Sequence, residues 1–303
     1  MQHQYTYAKA LAASQRINWR LEDLVGEDKP LDFTRPFLPE PLARTQALGF
    51  LSPDEQRAAN QIRGYGYLCL FGIVEEFVLP FVLDHARSRL SPDDDRVRAL
   101  LQFAGEEAKH IELFKRFRQD FERGFGSRCD VIGPAEAIAR EVLRHQPLAV
   151  AIAILHIEWM TQRHYLDSVS DASGLDSQFK SLLHHHYVEE VQHAKLDTLM
   201  VEALAENQSE QEIACAVEEY LEIGVFLDQG LRQQIDLDLA SLARATGRQL
   251  SPSEAERYVA VQQPAVRWTF LGSGMTHPQV LATLERLGPQ ARERVEQVAP
   301  AFC

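Results

Sequence analysis

The most apolar stretch of the chain, residues 67–83, carries two adjacent glutamates near its centre, Glu75 and Glu76. The stretch is shorter than a comfortable bilayer span. A bare carboxylate in apolar surroundings costs several kcal/mol unless a cation, a proton or a partner compensates for it. We therefore expect a buried helix that has a specific reason to carry acid, and no membrane segment.

Helix starts are marked by serine followed by proline. Ser52-Pro53 and Ser251-Pro252 each place a capping oxygen first and proline at the first helical position, and Glu55 and Glu254 are spaced to close capping boxes. Ser91-Pro92-Asp93 predicts a further helix start. Apolar residues recur at intervals of three and four, and no segment shows the sustained alternation of a strand. The predicted fold class is all-α.

The same pattern predicts a bundle of long helices. We place them at Pro53 to Arg89, Asp93 to Arg123, Ala135 to Val169 and Leu175 to Ala205. The third is expected to bend at Pro147. Short connections favour a ferritin-like four-helix bundle over residues 52–206, wrapped by a proline-rich N-terminal extension (1–51) and followed by C-terminal helices packed on it (207–303), within a single domain.

The C-terminal part is predicted to contain a long helix and two shorter ones. The long helix runs from about Gln211 to Ala245, and the shorter helices follow Ser251 and Pro278. A loop at residues 272–274 precedes the last helix. Aromatic and apolar residues near this loop, Phe270 among them, either cover a substrate pocket or belong to the core.

Composition excludes several classes of function. The formal net charge of -13, without a basic cluster, disfavours nucleic acid as a partner. The four cysteines form no CxxC pair, which argues against a zinc ribbon or a disulfide framework and favours a reducing compartment. The first twenty residues lack the features of a signal peptide. We therefore expect a cytoplasmic protein.

Two helices carry a glutamate and a histidine three residues apart. These pairs are Glu107 with His110 on the second long helix and Glu190 with His193 on the fourth. At 3.6 residues per turn both side chains of a pair leave one helix face, so each pair can bind one metal ion. One such pair is weak support, because chance alone produces it in a glutamate-rich chain.

The order of the remaining acids makes the pattern specific. A dinuclear site in a ferritin-like bundle takes one glutamate from each of the two other helices. Here the first helix supplies Glu75 or Glu76, and the third supplies Glu158 inside the apolar run 148–160. Each acid alone is more simply explained as a paired or peripheral residue, but four successive helices in this order favour a metal site. Counting from the polar position Arg63 points Glu75 inward, while Glu76 remains the alternative.

Three further residues extend the predicted site. His186 lies one turn before Glu190 and is a candidate extra nitrogen ligand; the alternative is that residues 184–186 form a polar histidine patch. Glu106 and Glu189 each precede a candidate ligand. Either they orient a histidine on another helix or they are solvated carboxylates.

The order Glu, Glu-x-x-His, Glu, His-x-x-x-Glu-x-x-His resembles that of the diiron arylamine N-oxygenases of the p-aminobenzoate type. The resemblance covers roughly residues 53–205 and rests on the ligand pattern. It implies a ferritin-like fold and oxidation of aromatic amines to hydroxylamine, nitroso or nitro products. The residues that match the family's ligand positions are Glu75 or Glu76, Glu107, His110, Glu158, His186, Glu190 and His193. The chain departs from the family in having Glu-Glu where Asp-Glu often precedes the ligand histidine.

The expected cofactor is a pair of iron ions, because mixed carboxylate and imidazole ligation suits ferrous iron, with manganese as the alternative at one position. Dioxygen would be the co-substrate, reduced to a bridged peroxide that oxidises a small organic molecule. The sequence has no flavin or dinucleotide motif, so electrons are expected from an external reductase or ferredoxin. A homodimer is the default assembly. The competing hypotheses are a ferritin-like iron-storage protein and a metal-free assembly module.

Overall fold

The computed structural model describes residues 3–87 and 95–303, and over these residues the chain is helical and contains no strand. The predicted all-α class is confirmed. The helices are α1 (Tyr7–Ser14), α2 (Leu21–Leu24), α3 (Glu40–Ala43), α4 (Pro53–Arg87), α5 (Asp95–Phe125), α6 (Ala135–Leu143), α7 (Pro147–His164), α8 (Ser177–Ala205), α9 (Glu210–Thr246), α10 (Pro252–Arg267), α11 (Ser273–Met275), α12 (Pro278–Leu287) and α13 (Pro289–Val298). π-helical turns extend α7 (Tyr165–Val169) and α10 (Trp268–Gly272), and a 3-10 turn (Ala299–Phe302) follows α13.

The core is a four-helix bundle of α4, α5, α7 and α8. Helix α4 packs along α5, α7 packs along α8, and α5 meets α8, while α9 lies against both α4 and α7. Helix α4 is long and apolar enough to cross a membrane by length and composition, but 61% of its apolar window is buried inside the protein. It is the central helix of this core, as expected for an apolar helix that carries buried acid.

The predicted third long helix is wrong as a single bent helix. The structure has two separate helices, α6 and α7, with a break at residues 144–146. Pro147 restricts the residue before it to extended backbone, and Gln146 accordingly has φ -62° and ψ 148°. Pro147 therefore begins a new helix as its first residue, where its missing N–H costs nothing.

Both predicted capping boxes form, at Ser52 and at Ser251. The backbone N–H of Ser52 donates to Glu55 at 2.7 Å, and Ser251 and Glu254 make the reciprocal pair of hydrogen bonds. The predicted start at residues 91–93 lies outside the described residues. The predicted loop at residues 272–274 is wrong, because the chain continues from a π-helical turn directly into α11.

The N-terminal extension is held to the bundle by polar side chains of α4. Asn60 accepts hydrogen bonds from the backbone N–H groups of Phe37 and Leu38 at 2.7 and 3.0 Å and donates one to the carbonyl of Leu38 at 2.8 Å. Because this side chain satisfies three backbone groups at once, it fixes the segment that leads into α3. Helix α1 packs against α5 and α8. The division of the chain into three segments stays a prediction.

Candidate metal centre

All four bundle helices direct acids or histidines into one buried region. None of these side chains is more than 4% exposed: Glu75 from α4, Glu107 and His110 from α5, Glu158 from α7, and His186, Glu190 and His193 from α8. The three-residue spacing within α5 and within α8 puts each glutamate on the same face as its histidine. The structure thus brings together seven of the eight residues that the sequence pattern singled out.

The possible ligand atoms form two overlapping groups. One consists of Glu75, His110, His186 and Glu190, and the other of Glu107, His110, Glu190 and His193; within each group the ligand atoms all lie within 4.8 Å of one another. His110 and Glu190 belong to both groups. Glu158 belongs to neither group, but its buried carboxyl adjoins them near Glu190. Two neighbouring cation positions with a shared carboxylate are the arrangement that this geometry permits.

Two acids from opposite helices orient the histidines of the Glu-x-x-His pairs. His110 Nε2 on α5 lies 2.8 Å from Glu189 on α8, and His193 Nε2 on α8 lies 2.9 Å from Glu106 on α5. Since an ionised carboxylate only accepts, each Nε2 carries the proton. The prediction that these acids orient histidines is confirmed, and the solvated alternative is wrong.

This orientation turns Nδ1 of both histidines toward the acids of the cluster. His110 Nδ1 lies 3.1 Å from Glu190 Oε1, and His193 Nδ1 lies 2.8 Å from Glu107 Oε1, yet neither nitrogen makes a hydrogen bond of acceptable geometry. In the neutral ring the lone pair of Nδ1 therefore faces carboxylate oxygens. A cation between them is the natural complement.

His186 joins the cluster through its other nitrogen. Its Nε2 lies 2.9 Å from Glu190 Oε1 and 3.3 Å from Glu75 Oε1, and the rings of Phe71 and Phe114 meet it edge-on. His184, two residues earlier in the histidine run, is exposed and forms a hydrogen bond with Tyr165. The polar-patch interpretation fits that neighbour and does not fit His186.

On α4, Glu75 points inward and Glu76 does not. Glu75 is 4% exposed and contacts two histidines of the cluster, whereas Glu76 is half-buried and belongs to neither group of ligand atoms. The sequence argument reached this orientation partly by treating Arg63 as a surface position. That premise is wrong, because Arg63 is 2% exposed.

The cluster is electrostatically incomplete without cations. Although burial alone raises it, the pKa of Glu190 is held well below its ordinary value by His186 and His193. Burial and the neighbouring Glu190 hold the pKa of Glu158 well above its ordinary value. Neighbouring acids thus have pKa values shifted in opposite directions, as expected for closely spaced carboxyl groups that lack enough positive charge around them.

Orphaned polar atoms test whether metal ions fit here. Within the cluster, the buried atoms of the candidate ligands without a hydrogen-bond partner among the described residues are Glu75 Oε2, Glu107 Oε1 and Oε2, His110 Nδ1, Glu158 Oε2, Glu190 Oε1 and His193 Nδ1. Buried polar atoms of this kind are normally satisfied. Four carboxylates and three imidazoles suit two divalent first-row transition metals, whose combined charge equals that of the carboxylates.

The chain resembles solved structures of an R2-like ligand-binding oxidase in the path of its backbone. One is a point mutant with an aerobically reconstituted Fe/Fe cofactor, which is 16% identical, covers 88% of this chain and 93% of its own length, and has a TM-score of 0.48. Another mutant, with an anaerobically reconstituted Mn/Fe cofactor, is 16% identical, covers 88% and 94%, and has a TM-score of 0.46. No protein-family model and no curated protein matches the chain.

Asp197 is a buried acid at the cluster that the sequence analysis missed. It is fully buried, and neither of its oxygens has a hydrogen-bond partner among the described residues. Burial, with Glu107 and Glu190 nearby, holds its pKa well above its ordinary value. Its position four residues after His193, on the same helix face, was the available signal.

The N-terminal extension supplies one wall of the site, although the sequence analysis gave it no role there. Trp19 stacks on the His110 ring with the planes at 7° and the centroids 6.1 Å apart, and Lys109 Nζ lies 3.6 Å from the centroid of the indole. Ser14 donates a hydrogen bond to Glu106. Lys109 also pairs with Glu189. The extension therefore covers the acids that orient the two histidines.

An apolar cavity of about 50 Å³ lies beside the cluster, between α4, α7 and α9. Phe71, whose ring also contacts His186, lines it together with Val74, Ile157, Met160 and Phe270. A water molecule needs only about 10 to 15 Å³ of such space, so the cavity holds a few molecules of the size of water or dioxygen. An organic substrate requires one of these side chains to move.

Proposed function

We propose that this protein holds two iron ions in the cluster and uses dioxygen to oxidise a small organic substrate. The observation that carries the proposal is the convergence of seven buried acids and histidines, six of which place atoms without a hydrogen-bond partner in the cluster. A site that only stores metal or stabilises the fold does not require an adjoining apolar cavity. Here Phe71 lines the cavity and also contacts His186 of the cluster.

The donor set favours redox-active metal over zinc. Zinc in structural sites takes four ligands in closed tetrahedral geometry, whereas a cluster of carboxylates and imidazoles that can leave positions open suits ferrous iron with dioxygen. Manganese at one position is compatible with the same donors. When bound, the metal pair would supply the electrons and the binding positions for dioxygen reduction.

The chain's own residues have distinct tasks in this proposal. Glu189 and Glu106 keep the protonated nitrogen of each histidine turned away from the metals. The apolar wall excludes bulk water from the oxidising side of the site. Electrons for repeated turnover come from an external donor, and the cytoplasmic location and the homodimer stay predictions.

Anaerobic titration with ferrous iron tests the metal part of the proposal. We expect two irons per chain in the wild type and a loss of tight binding in Glu107→Ala, with Glu112→Ala as the matched control because Glu112 is exposed on the same helix. Addition of oxygen should then oxidise the bound iron. Binding of fewer than two irons, or equal binding by both variants, would contradict the proposal.

Arylamine N-oxygenation is the narrower hypothesis, supported by the extra histidine, His186, at the cluster. A panel of aromatic amines incubated with iron-loaded protein, a chemical reductant and oxygen tests it, with hydroxylamine, nitroso and nitro products measured by mass spectrometry. Oxygen consumption without any of these products would remove the arylamine assignment and leave the broader oxidase proposal in place.

Iron storage is the competing function. It predicts a cage of many subunits and the uptake of far more than two irons per chain. Size-exclusion chromatography together with iron counting distinguishes the two functions, because the oxidase proposal predicts a small assembly with a fixed metal stoichiometry.

A further inference from the structure

Arg63 is a buried cation without a hydrogen-bonding partner. Its side chain is 2% exposed, and none of its three nitrogens makes a hydrogen bond within the described part of the chain. A guanidinium presents five N–H donors and cannot lose its charge in a protein. Burying it unpaired opposes folding, and an anion bound beside it would offset this cost.

The surroundings of Arg63 compensate for its charge only in part. Asp238 is a buried acid near it, but its Oδ1 accepts a hydrogen bond from Gln234 at 2.7 Å, and it accepts none from Arg63. The ring of Phe270 lies 5.6 Å from the guanidinium carbon. Neither group accepts a hydrogen bond from the guanidinium, whose N–H groups match a planar acceptor with two oxygens.

One stripe of α4 connects this guanidinium to the metal cluster. Arg63, Tyr67, Phe71 and Glu75 follow one another at intervals of four residues, which places them along a slowly turning helix face. Phe270 covers the middle of the stripe, with its ring 5.7 Å from that of Tyr67 and 6.1 Å from that of Phe71.

Phe270 also lines the apolar cavity beside the cluster and sits in the π-helical turn Trp268–Gly272. Turns of this kind interrupt the regular hydrogen bonding of a helix and are frequent at functional sites. The Phe270 ring thus stands between the guanidinium at one end of the stripe and the cavity at the other.

We propose that Arg63 binds the carboxylate of an elongated apolar acid, whose body lies along this stripe with its far end beside the metal cluster. Phe270 turns aside to admit the apolar body. The assignment of the acid as the substrate rests on the proposed oxidase function, whereas its binding at Arg63 does not.

The helix sets the length of the acid. Twelve residues separate Arg63 from Glu75, and a rise of 1.5 Å per residue puts their Cα atoms about 18 Å apart. This separation exceeds the length of a single aromatic ring with a carboxylate. We therefore expect medium-chain or multi-ring acids to bind better than 4-aminobenzoate.

Isothermal titration calorimetry on iron-loaded protein under anaerobic conditions tests the site without turnover. The probes are decanoate, its uncharged analogue decanol and the short acid 4-aminobenzoate. We expect decanoate to bind at least tenfold more tightly than either of the others. Arg63→Met should abolish the preference for decanoate over decanol, and Arg118→Met, which removes a surface arginine of α5, should keep it.

Thermal unfolding of the same variants separates a ligand site from a structural ion pair. If Arg63 is kept for a ligand, Arg63→Met unfolds at the same or a higher temperature than the wild type without ligand. Arg63→Lys keeps the charge but not the planar fork, and it should bind decanoate with intermediate affinity, so the site is testable even if the methionine variant folds poorly.

Two results would overturn the proposal. One is equal binding of decanoate to the wild type, Arg63→Met and Arg63→Lys. The other is no binding of decanoate to a wild type that carries its two irons, together with a loss of stability in Arg63→Met that matches Asp238→Asn. The second result would leave the oxidase function standing, whereas failure to bind iron would remove that function without touching the carboxylate site.

Discussion

Glu189 on α8 holds His110 on α5 by a 2.8 Å contact, and it does so from the position immediately before the candidate ligand Glu190. The reverse contact, from the residue before Glu107 to His193, repeats the arrangement in the other direction. Each Glu-Glu-x-x-His segment therefore supplies one acid to its own metal position and one to the histidine of the facing helix. The two helices cannot shift along one another without misaligning both histidines.

We predict that Glu189→Gln weakens metal binding about tenfold to a hundredfold, as replacements of groups that orient metal-bound histidines usually do. The amide cannot supply the negative charge that makes the imidazole a stronger ligand. Competition with a chromogenic chelator measures the effect. Glu112→Gln on the exposed face of α5 is the control, and an equal affinity in the two variants would show that the contact has no role in ligation.

The adjacent acids of α4 provide a second matched pair. We expect Glu75→Ala to lower the stoichiometry from two metals to one, because Glu75 is the acid that α4 contributes to the ligand groups. Glu76→Ala should retain both metals, since that side chain is half-buried outside the cluster. Metal counting by mass spectrometry after desalting tests this. Loss of metal from Glu76→Ala alone would reverse the assignment.

The histidine run offers a third comparison. His186→Ala should reduce iron affinity or stoichiometry and change the rate of reaction with oxygen, because one nitrogen donor is removed beside Glu75 and Glu190. His184→Ala, two residues away and exposed, should behave as the wild type. If both variants match the wild type in iron content and oxygen reaction, the argument for the arylamine N-oxygenase type is lost.

His164 predicts a specific loss of stability in acid. Burial, together with repulsion from Arg63 and Arg163, lowers its pKa to about 3. Between pH 6.5 and about 3 the unfolded chain therefore binds a proton that the folded chain excludes. The contribution of His164 to the free energy of unfolding is fully present above pH 6.5 and falls by about 1.4 kcal/mol per pH unit below it.

Urea unfolding of chelator-treated protein at pH 7, 6 and 5 measures this effect. His164→Gln loses the hydrogen bonds to Tyr67 and Ser273 and should be less stable at pH 7, but its stability should fall less steeply from pH 6 to pH 5. Other buried histidines contribute equally to both proteins. Parallel curves for the wild type and the variant would show that His164 titrates normally in the folded state.

The metal cluster was predictable because helix geometry is rigid. Once residues 53–87, 95–125 and 177–205 are helical, the spacing of three between glutamate and histidine fixes their common face. The capping serines set the helix starts just as directly. Local rules sufficed for these features, since each involves residues less than two turns apart.

The misses share a different origin. The sequence indicated a disturbance of the helix at Pro147, but it did not distinguish one bent helix from two separate helices. The contributions of Ser14 and Trp19 and the burial of Arg63 depend on packing between segments far apart in the chain. An arginine on an amphipathic helix is ordinarily exposed, and no spacing rule shows that α9 and α10 cover this one.

The contact of Trp19 with His110 has a practical consequence for anyone trimming the protein. A shortened version beginning at Ser52 would keep every candidate ligand and much of the helical signal in circular dichroism. It would also expose the outer faces of His110 and Glu106 to water. Such a version would be expected to take up metal but to hold it loosely, so intact folding by spectroscopy would be a misleading guide to a competent centre.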